Sequence, residues 1–278
     1  MKKSIKITVA TLTILLFVSI ASVSVFAMNK ADKKVNIRTI QEDTKGEQEI
    51  SKAIRIKIDN NKVFNALLLK SSDMESFDNV EYYDSDIRYE AIFKDGAIVS
   101  FDKDLNILAY SGFKRNTKIS NTNIIEILKQ EYSIDETYHL NINYETNETD
   151  KEDIVYYWVK AEENGISNIY DALSVRIDGR TNQMIVFNRF NNTAEPSEIR
   201  ISEAEAKRIA LNLKEEFHNV TSCKKAYVKP NDFWNEEEYT DERVDTVRLV
   251  YQVLLNENKY SVYVDAETGD VLGGDMIK

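Results

Sequence analysis

One pattern of apolar and polar positions occurs three times along the chain. Each copy is an apolar strand that ends in aspartate, a tight turn and a second apolar strand, at residues 99–108, 175–185 and 262–272. Because Asn or Gly follows each aspartate by four residues, and both tolerate positive φ, the pattern predicts hairpins that reverse there. The predicted turn pairs are Asp102 with Asn106, Asp178 with Asn182, and Asp265 with Gly269. Spacings of 76 and 87 residues between these aspartates indicate a repeat of domain size.

Period-two alternation predicts strands in the N-terminal part. Ile54, Ile56 and Ile58 alternate with charged residues, which favours a half-buried strand over a helix. Three further apolar segments predict a meander of short antiparallel strands, with a turn at Lys94-Asp95-Gly96. These segments are residues 89–93, 98–101 and 107–110.

Helical periodicity opens the second and third parts of the chain. Ile124, Ile127, Leu128 and Tyr132 form a one-sided apolar stripe after Ile119. A capping box, Ser202 with Glu205, precedes a second stripe that runs from Ala206 through Ile209, Ala210 and Leu213 to Phe217. Predicted strands follow each helix, at residues 138–144, 154–160, 169–178 and 184–190, and at 225–229, 247–255, 260–265 and 270–272. Packing each helix on a curled antiparallel sheet buries its stripe, so the predicted class is α+β in tandem modules.

The first residues resemble an export signal. Lys2, Lys3 and Lys6 precede an apolar stretch at residues 7–26, and the small residue Ala27 ends a plausible cleavage site. We predict a signal peptide at residues 1–27; the alternative is an uncleaved membrane anchor, because the stretch is long enough to span a bilayer. Either reading predicts that the protein is secreted or held on the outer face of the membrane, with a polar, flexible linker at residues 28–49.

Charge and cysteine content narrow the function classes. The formal net charge is −11, and removal of the three signal lysines takes it to −14. Such a surface repels nucleic acid and anionic lipid and suits a basic partner. Cys223 is the only cysteine, so no intramolecular disulfide can form. We interpret Cys223 as a small packing residue; the alternative is a reactive thiol.

The C-terminal part resembles a PepSY domain, a module also found in propeptides of thermolysin-type metalloproteases and in secreted proteins of Gram-positive bacteria. The resemblance rests on the helix start at residues 201–210 and on the closing Val-Asp-x-x-Thr-Gly hairpin at residues 264–269. It makes residues 196–278 a PepSY module and 119–195 a diverged PepSY-like module. Residues 50–118, which match only in the hairpin, form a degenerate β-rich module. The resemblance implies a non-catalytic protein that binds and restrains peptidases at the cell surface.

Enzymatic readings find little support in the residues. A zinc peptidase needs two histidines at i and i+4, whereas His139 and His218 are the only histidines. We therefore predict no catalytic residue, cofactor or metal. A hydrolase with two carboxylates stays open as an alternative, because acids are abundant. The acidic turns after Asp102 and Asp265 are better explained as hydrogen-bonded turns than as calcium sites.

One loop is the predicted partner contact. It joins aromatic residues to a block of acids between two predicted strands, where recognition residues are often carried. Its residues are Phe233, Trp234, Glu236, Glu237, Glu238 and Tyr239. The alternative is that Phe233 and Trp234 fold back to cap the sheet. We expect a binding protein that modulates or inhibits a secreted peptidase; the alternative binding role is cell-envelope structure or assembly.

Overall fold

The structure is a computed structural model and describes residues 44–81, 87–113, 115, 119, 121–146, 152–162, 164–234 and 246–277. The predicted signal peptide and residues 28–43 of the predicted linker lie outside these ranges. Residues 44–49, also assigned to the linker, are helical. Within the described ranges, no helix combines the length and the apolar character that a membrane crossing requires.

Four α-helices are described. They are α1 (Thr44–Asn60), α2 (Lys62–Ala66), α3 (Asn121–Glu131) and α4 (Glu203–Leu211). A short 3₁₀ turn at Ser71–Asp73 follows α2. Helices α3 and α4 confirm the two predicted apolar stripes, although α3 ends before Tyr132, and α4 ends before Leu213 and Phe217. Helix α2 and the 3₁₀ turn were not predicted from the sequence.

The strand predicted at residues 54–58 is wrong, because this segment lies inside α1. Ile54 and Ile58 are fully buried, whereas Ile56 is 54% exposed. Burial at i and i+4 is the helical pattern, and Ile50 one turn earlier packs against the same core. Ile54 and Ile58 fit both the helical and the strand period, whereas Ile56 fits only the strand, so a longer window is needed to separate the two.

A large antiparallel sheet holds eight strands. They are β1 (Met74–Glu81), β2 (Ile87–Phe93), β3 (Ile98–Phe101), β4 (Ile107–Ser111), β5 (Tyr138–Thr146), β6 (Glu152–Ala161), β7 (Ser167–Asp178) and β8 (Gln183–Asn191). Their order across the sheet is β1-β2-β3-β4-β8-β7-β6-β5. Seven of these strands confirm predicted segments, and β1 was not predicted. The β4–β8 pairing, with Tyr110 opposite Phe187, joins the first two predicted modules into one sheet.

A second antiparallel sheet holds the last four strands. They are β9 (Val220–Val228), β10 (Arg248–Leu255), β11 (Tyr260–Asp265) and β12 (Val271–Met276), in the order β12-β11-β10-β9. Together the two sheets and four helices make the described chain an α+β protein dominated by antiparallel strands.

Each sheet has its own main core. Helices α1, α2 and α3 bury Ile54, Phe64 and Leu128 in one cluster with side chains of the large sheet. Helix α4 buries Ala206 and Ala210 in a second cluster with side chains of β10 and β11. The small alanine side chains let the helix backbone approach the small sheet closely.

The segment that connects the two sheets is hydrogen-bonded to the chain at the start of β10. Ala194 forms a parallel bridge with Val247, and the Glu195 amide donates to the Val247 carbonyl at 2.9 Å. The Arg248 guanidinium contacts the Glu195 carboxylate and donates to Asp265 Oδ2 at 2.9 and 3.1 Å. A further contact between the sheets is the hydrogen bond from Asn164 Nδ2 to the Tyr227 hydroxyl, at 2.7 Å.

Candidate protein-binding surface

Two of the three predicted aspartate reversals share one geometry. The Oδ1 atoms of Asp178 and Asp265 each accept from the amides two and three residues later, at 2.8–3.0 Å. The amide four residues later donates to the backbone carbonyl of the aspartate, at 2.8 Å for Asn182 and 3.0 Å for Gly269. Asn182 and Gly269 have φ of 55° and 82°, which confirms the predicted positive φ at both positions.

The first reversal differs from the prediction. Leu105, not Asn106, has positive φ, at 62°. Here the amide three residues after the aspartate bonds the Asp102 carbonyl at 3.0 Å, so the turn closes one residue earlier. Asn106 instead donates to Asp102 through its amide at 2.7 Å and its side chain at 2.9 Å. The asparagine therefore holds the turn by hydrogen bonding and not by backbone conformation.

The two aspartates that share this geometry differ in burial and in their charged neighbours. Asp265 is buried and paired with Arg248, whereas Asp178 lies near the surface. The backbone amide of Thr181, together with that of Arg180, lowers the pKa of Asp178 below its usual value. Both aspartates are used by the fold, which agrees with the turn interpretation of these residues.

An asparagine side chain covers the outer edge of β12. Asn231 Nδ2 donates to the Gly274 carbonyl at 3.0 Å, and Asn231 Oδ1 accepts from the Gly274 amide at 2.9 Å. The Asn231 amide also donates to the Leu272 carbonyl at 2.8 Å. These bonds occupy edge groups that a neighbouring strand would otherwise pair. A Cβ on Gly273 would lie 2.1 Å from Asn231 Oδ1, so the contact requires glycine.

Trp234 is anchored three residues later. Its Nε1 donates to the Ser261 carbonyl at 2.8 Å, directly over Gly274, where a Cβ would lie 2.0 Å from that nitrogen. The indole packs edge-on against Phe217 at 5.2 Å and contacts Tyr260 at 5.8 Å between ring centroids. Trp234 is therefore part of the small-sheet packing. The sequence signal for this contact is the Gly273-Gly274 pair inside a strand, which marks a close backbone approach.

Phe233 is the exposed member of the predicted contact. Its side chain is 45% exposed and lies edge-on to Trp234, with ring centroids 4.6 Å apart. The Phe233 amide donates to Asn231 Oδ1 at 3.2 Å, which fixes the turn that carries it. The remaining predicted contact residues, Glu236, Glu237, Glu238 and Tyr239, lie outside the described residues.

Cys223 lies half-buried on β9. Desolvation by burial, reinforced by the nearby Glu203 carboxylate, raises the pKa of the Cys223 thiol to about 11. A protonated thiol is a poor nucleophile and a poor metal ligand at neutral pH. This agrees with the interpretation of Cys223 as a packing residue.

The two histidines occupy separate surface positions. His139 is exposed on β5, and the His218 ring nitrogen Nδ1 lies 2.9 Å from the Glu216 carbonyl. His218 lies between α4, which ends at Leu211, and β9, which begins at Val220. Among the residues that the structure describes, no three His, Cys, Asp or Glu side chains are grouped as metal ligands.

One polar cavity bears on the carboxylate alternative. It has a volume of about 270 Å³, and both Asp102 and Glu131 line it beside Arg189. Asp102 Oδ1 and Oδ2 accept hydrogen bonds within the first reversal, and Glu131 Oε1 accepts from Asn61 Nδ2 at 2.7 Å. Arg189 is held by Asp171 at 2.7 Å. Asp102, Glu131 and Arg189 are therefore each engaged in contacts within the fold.

Comparison with solved structures gives a weak likeness. The chain is similar to the C-terminal domain of YpeB from Bacillus megaterium, with a TM-score of 0.37 and 15% sequence identity. The alignment covers 83% of this chain and 97% of that domain. No family model matches the chain, and no curated protein matches it.

Proposed function

We propose that this protein is a non-catalytic binding protein of tandem PepSY-like units that acts outside the cytoplasm. In this proposal each unit is a helix on an antiparallel sheet closed by an aspartate reversal. Its partner is a secreted or cell-surface peptidase, which it modulates or inhibits. The PepSY assignment rests on the helix start at residues 201–210 and the hairpin at residues 264–269.

The observation that carries the binding role is the presentation of Phe233. The turn beneath it is fixed by Asn231 on the edge of β12 and by Trp234 on the sheet. Phe233 itself remains 45% exposed at the end of this support. An aromatic side chain held in one position loses little conformational entropy on binding, which is typical of interface anchors.

The sequence after Trp234 suggests the chemistry of the partner. Glu236, Glu237 and Glu238 follow within four residues of the anchored indole, in a chain whose formal net charge is −11. An apolar anchor beside a block of acids favours a partner that offers a hydrophobic pocket with a basic rim. Such a rim steers association and makes it weaker at high salt.

Binding to peptidases from the same producing cell tests the proposal. Purified protein is incubated with the secreted peptidases, and both complex formation and inhibition are measured. We expect a stable complex and a loss of affinity of about tenfold or more in Phe233→Ala, because an anchor side chain is truncated. Phe113→Ala, at a phenylalanine that is 53% exposed elsewhere, is the matched control and should leave affinity unchanged.

Two results would contradict the proposal. If no secreted peptidase binds or is inhibited, the assigned partner class is wrong. If Phe233→Ala and Phe113→Ala bind equally well, the contact lies elsewhere. Mass spectrometry of the exported protein checks the location separately, because a removed signal peptide leaves an N-terminus at Met28.

A further inference from the structure

The four edges of the two sheets are built differently. β1 carries exposed acids, Glu75 and Asp78, and β9 carries exposed Lys224 and Lys225. The edge of β12 is occupied by Asn231. Charged side chains and covered edges are the usual devices that prevent a strand from pairing with another chain. Three of the four edges thus carry such a device.

β5 is the fourth edge and presents a row of apolar side chains. Leu140, Ile142 and Tyr144 project from one face of the strand and are 47%, 47% and 64% exposed. On the other face of this segment, His139, Asn141 and Asn143 alternate with them. Among the described residues, β5 pairs only with β6, so its outer backbone edge is left without a strand partner. Strands of this kind favour pairing with a further strand.

The apolar row of β5 lies beside large apolar side chains of β6. Leu140 lies opposite Trp158, Ile142 opposite Tyr156, and Tyr144 opposite Ile154. The Tyr156 and Trp158 rings stack with centroids 5.9 Å apart, and Trp158 is buried in the large-sheet core. The row is therefore the outer margin of the core face of the sheet, and a strand added beside it would extend that face.

We infer that the occupant of this edge is β5 of a second copy of the chain, paired antiparallel about Ile142. In this register Ile142 lies opposite its own copy, and Leu140 lies opposite Tyr144 of the second copy. The polar face is complementary in the same register, because His139 lies opposite Glu145 of the second copy and Asn141 opposite Asn143. Glu145 is held in place by Arg176, at 3.0 Å.

The self-complementary sequence favours a second copy over an unrelated strand. A two-fold axis through Ile142 satisfies the apolar row, the asparagine pair and the polar His139–Glu145 pair at once, and closed two-fold symmetry is the commonest form of oligomer. β5 is nine residues long, or about 30 Å in extended form, so it pairs over a length typical of natural strands. This inference is independent of the proposed peptidase partner, which contacts the small sheet.

Cysteine cross-linking tests the register. In a Cys223→Ala background of the purified full chain, Ile142→Cys places two thiols opposite each other, with Cβ atoms about 4.5–5.5 Å apart. We expect a disulfide-linked dimer under mild oxidation, since disulfides form at nearly this separation. His139→Cys is the matched control on the same strand, because its two copies would lie about 20 Å apart. The inference fails if Ile142→Cys stays monomeric or if both variants link equally.

A charge placed on the two-fold axis tests the dimer itself. Ile142→Lys sets two ammonium groups against each other, so we expect the dimer dissociation constant measured by light scattering to rise about tenfold or more. Ile56→Lys, at an isoleucine that is 54% exposed on α1, is the control and should leave it unchanged. A wild-type chain that is monomeric up to about 0.1 mM would overturn the inference. Circular dichroism confirms that both variants remain folded.

Discussion

The edges of β12 and β5 show two ways of ending an antiparallel sheet. At β12 the chain folds back: Asn231 bonds groups of Gly274 that another strand would need, and Trp234 is held on the sheet by the Ser261 carbonyl of β11. At β5 the strand ends the large sheet with apolar side chains exposed, and no segment within the described ranges folds back over it. The first edge is closed by the protein's own chain and presents a fixed aromatic residue. The second edge leaves its backbone available for a partner.

Gly274→Val, which disrupts the closed edge of β12, should cause the largest loss of stability. The new side chain would overlap Trp234 Nε1 and the Ser261 carbonyl, each 2.0 Å from the position of Cβ. We expect a loss of about 2–3 kcal/mol in the free energy of unfolding, typical of forced overpacking. Urea unfolding followed by tryptophan fluorescence measures both the stability and the displacement of the indole. Gly165→Asn is the control, because a Cβ there meets nothing within 4 Å and Asn tolerates its φ of 73°.

Asn231→Ala should open the same edge at a lower cost. It removes three hydrogen bonds of the Asn231 side chain, two with Gly274 and one with the Phe233 amide. Because water replaces part of these bonds, we expect a loss of about 1–2 kcal/mol in unfolding free energy. Asn231→Asp keeps an acceptor for the Gly274 and Phe233 amides but sets a carboxylate oxygen against the Gly274 carbonyl, so its loss should be at least as large. Equal stability of both variants and the wild type would show that the asparagine does not close the edge.

The thiol on the β9 edge offers a third measurement. With its pKa raised to about 11, the folded Cys223 thiol holds its proton more tightly than the unfolded thiol, and the thiolate fraction at pH 8 is correspondingly small. The higher nucleophilicity of a high-pKa thiolate offsets part of this loss, so we expect modification about tenfold slower in the folded than in the urea-unfolded protein. The rate should keep rising beyond pH 9. A plateau near pH 8–9 in the folded protein would contradict the assigned environment.

Ile142→Thr should have the smallest effect on the fold. The side chain is 47% exposed, and threonine retains β-branching, so we expect the unfolding free energy of the dilute monomer to change by less than about 0.5 kcal/mol. The same change should still weaken self-association. A large loss of monomer stability would mean that Ile142 is needed by the fold itself. The β5 edge would then not differ from the β12 edge in the way described above.

Most strands could be predicted because alternation and turn residues agree along them. The N-terminal helix could not, since Ile54, Ile56 and Ile58 satisfy a strand period while only Ile54 and Ile58 reach the core. The deciding information is tertiary, because Ile54 and Ile58 join one cluster with side chains of α2, α3 and the large sheet. Short apolar segments leave this ambiguity whenever the flanking residues are polar.

The turn residues show a finer limit. Asn106 and Asn182 follow their aspartates at the same distance, yet only Asn182 takes positive φ. The difference lies in which amide closes the turn, and a two-residue pattern does not specify it. At the predicted contact, the sequence alone could not tell which of Phe233 and Trp234 is exposed and which packs on the sheet. The glycines that admit the indole lie about 40 residues further along the chain, so the anchor is a long-range property.

The pairing of β4 with β8 has a consequence for the order of assembly during synthesis. Ser111 finds its partner Val186 only after 75 further residues have been added, which takes roughly 4–15 s at ordinary elongation rates. Throughout that interval β4 lacks its partner strand β8, so the apolar side chains along its edge stay uncovered. A chaperone or a narrow exit tunnel would have the greatest influence at this stage, and a chain halted before Val186 would be the form most exposed to proteolysis.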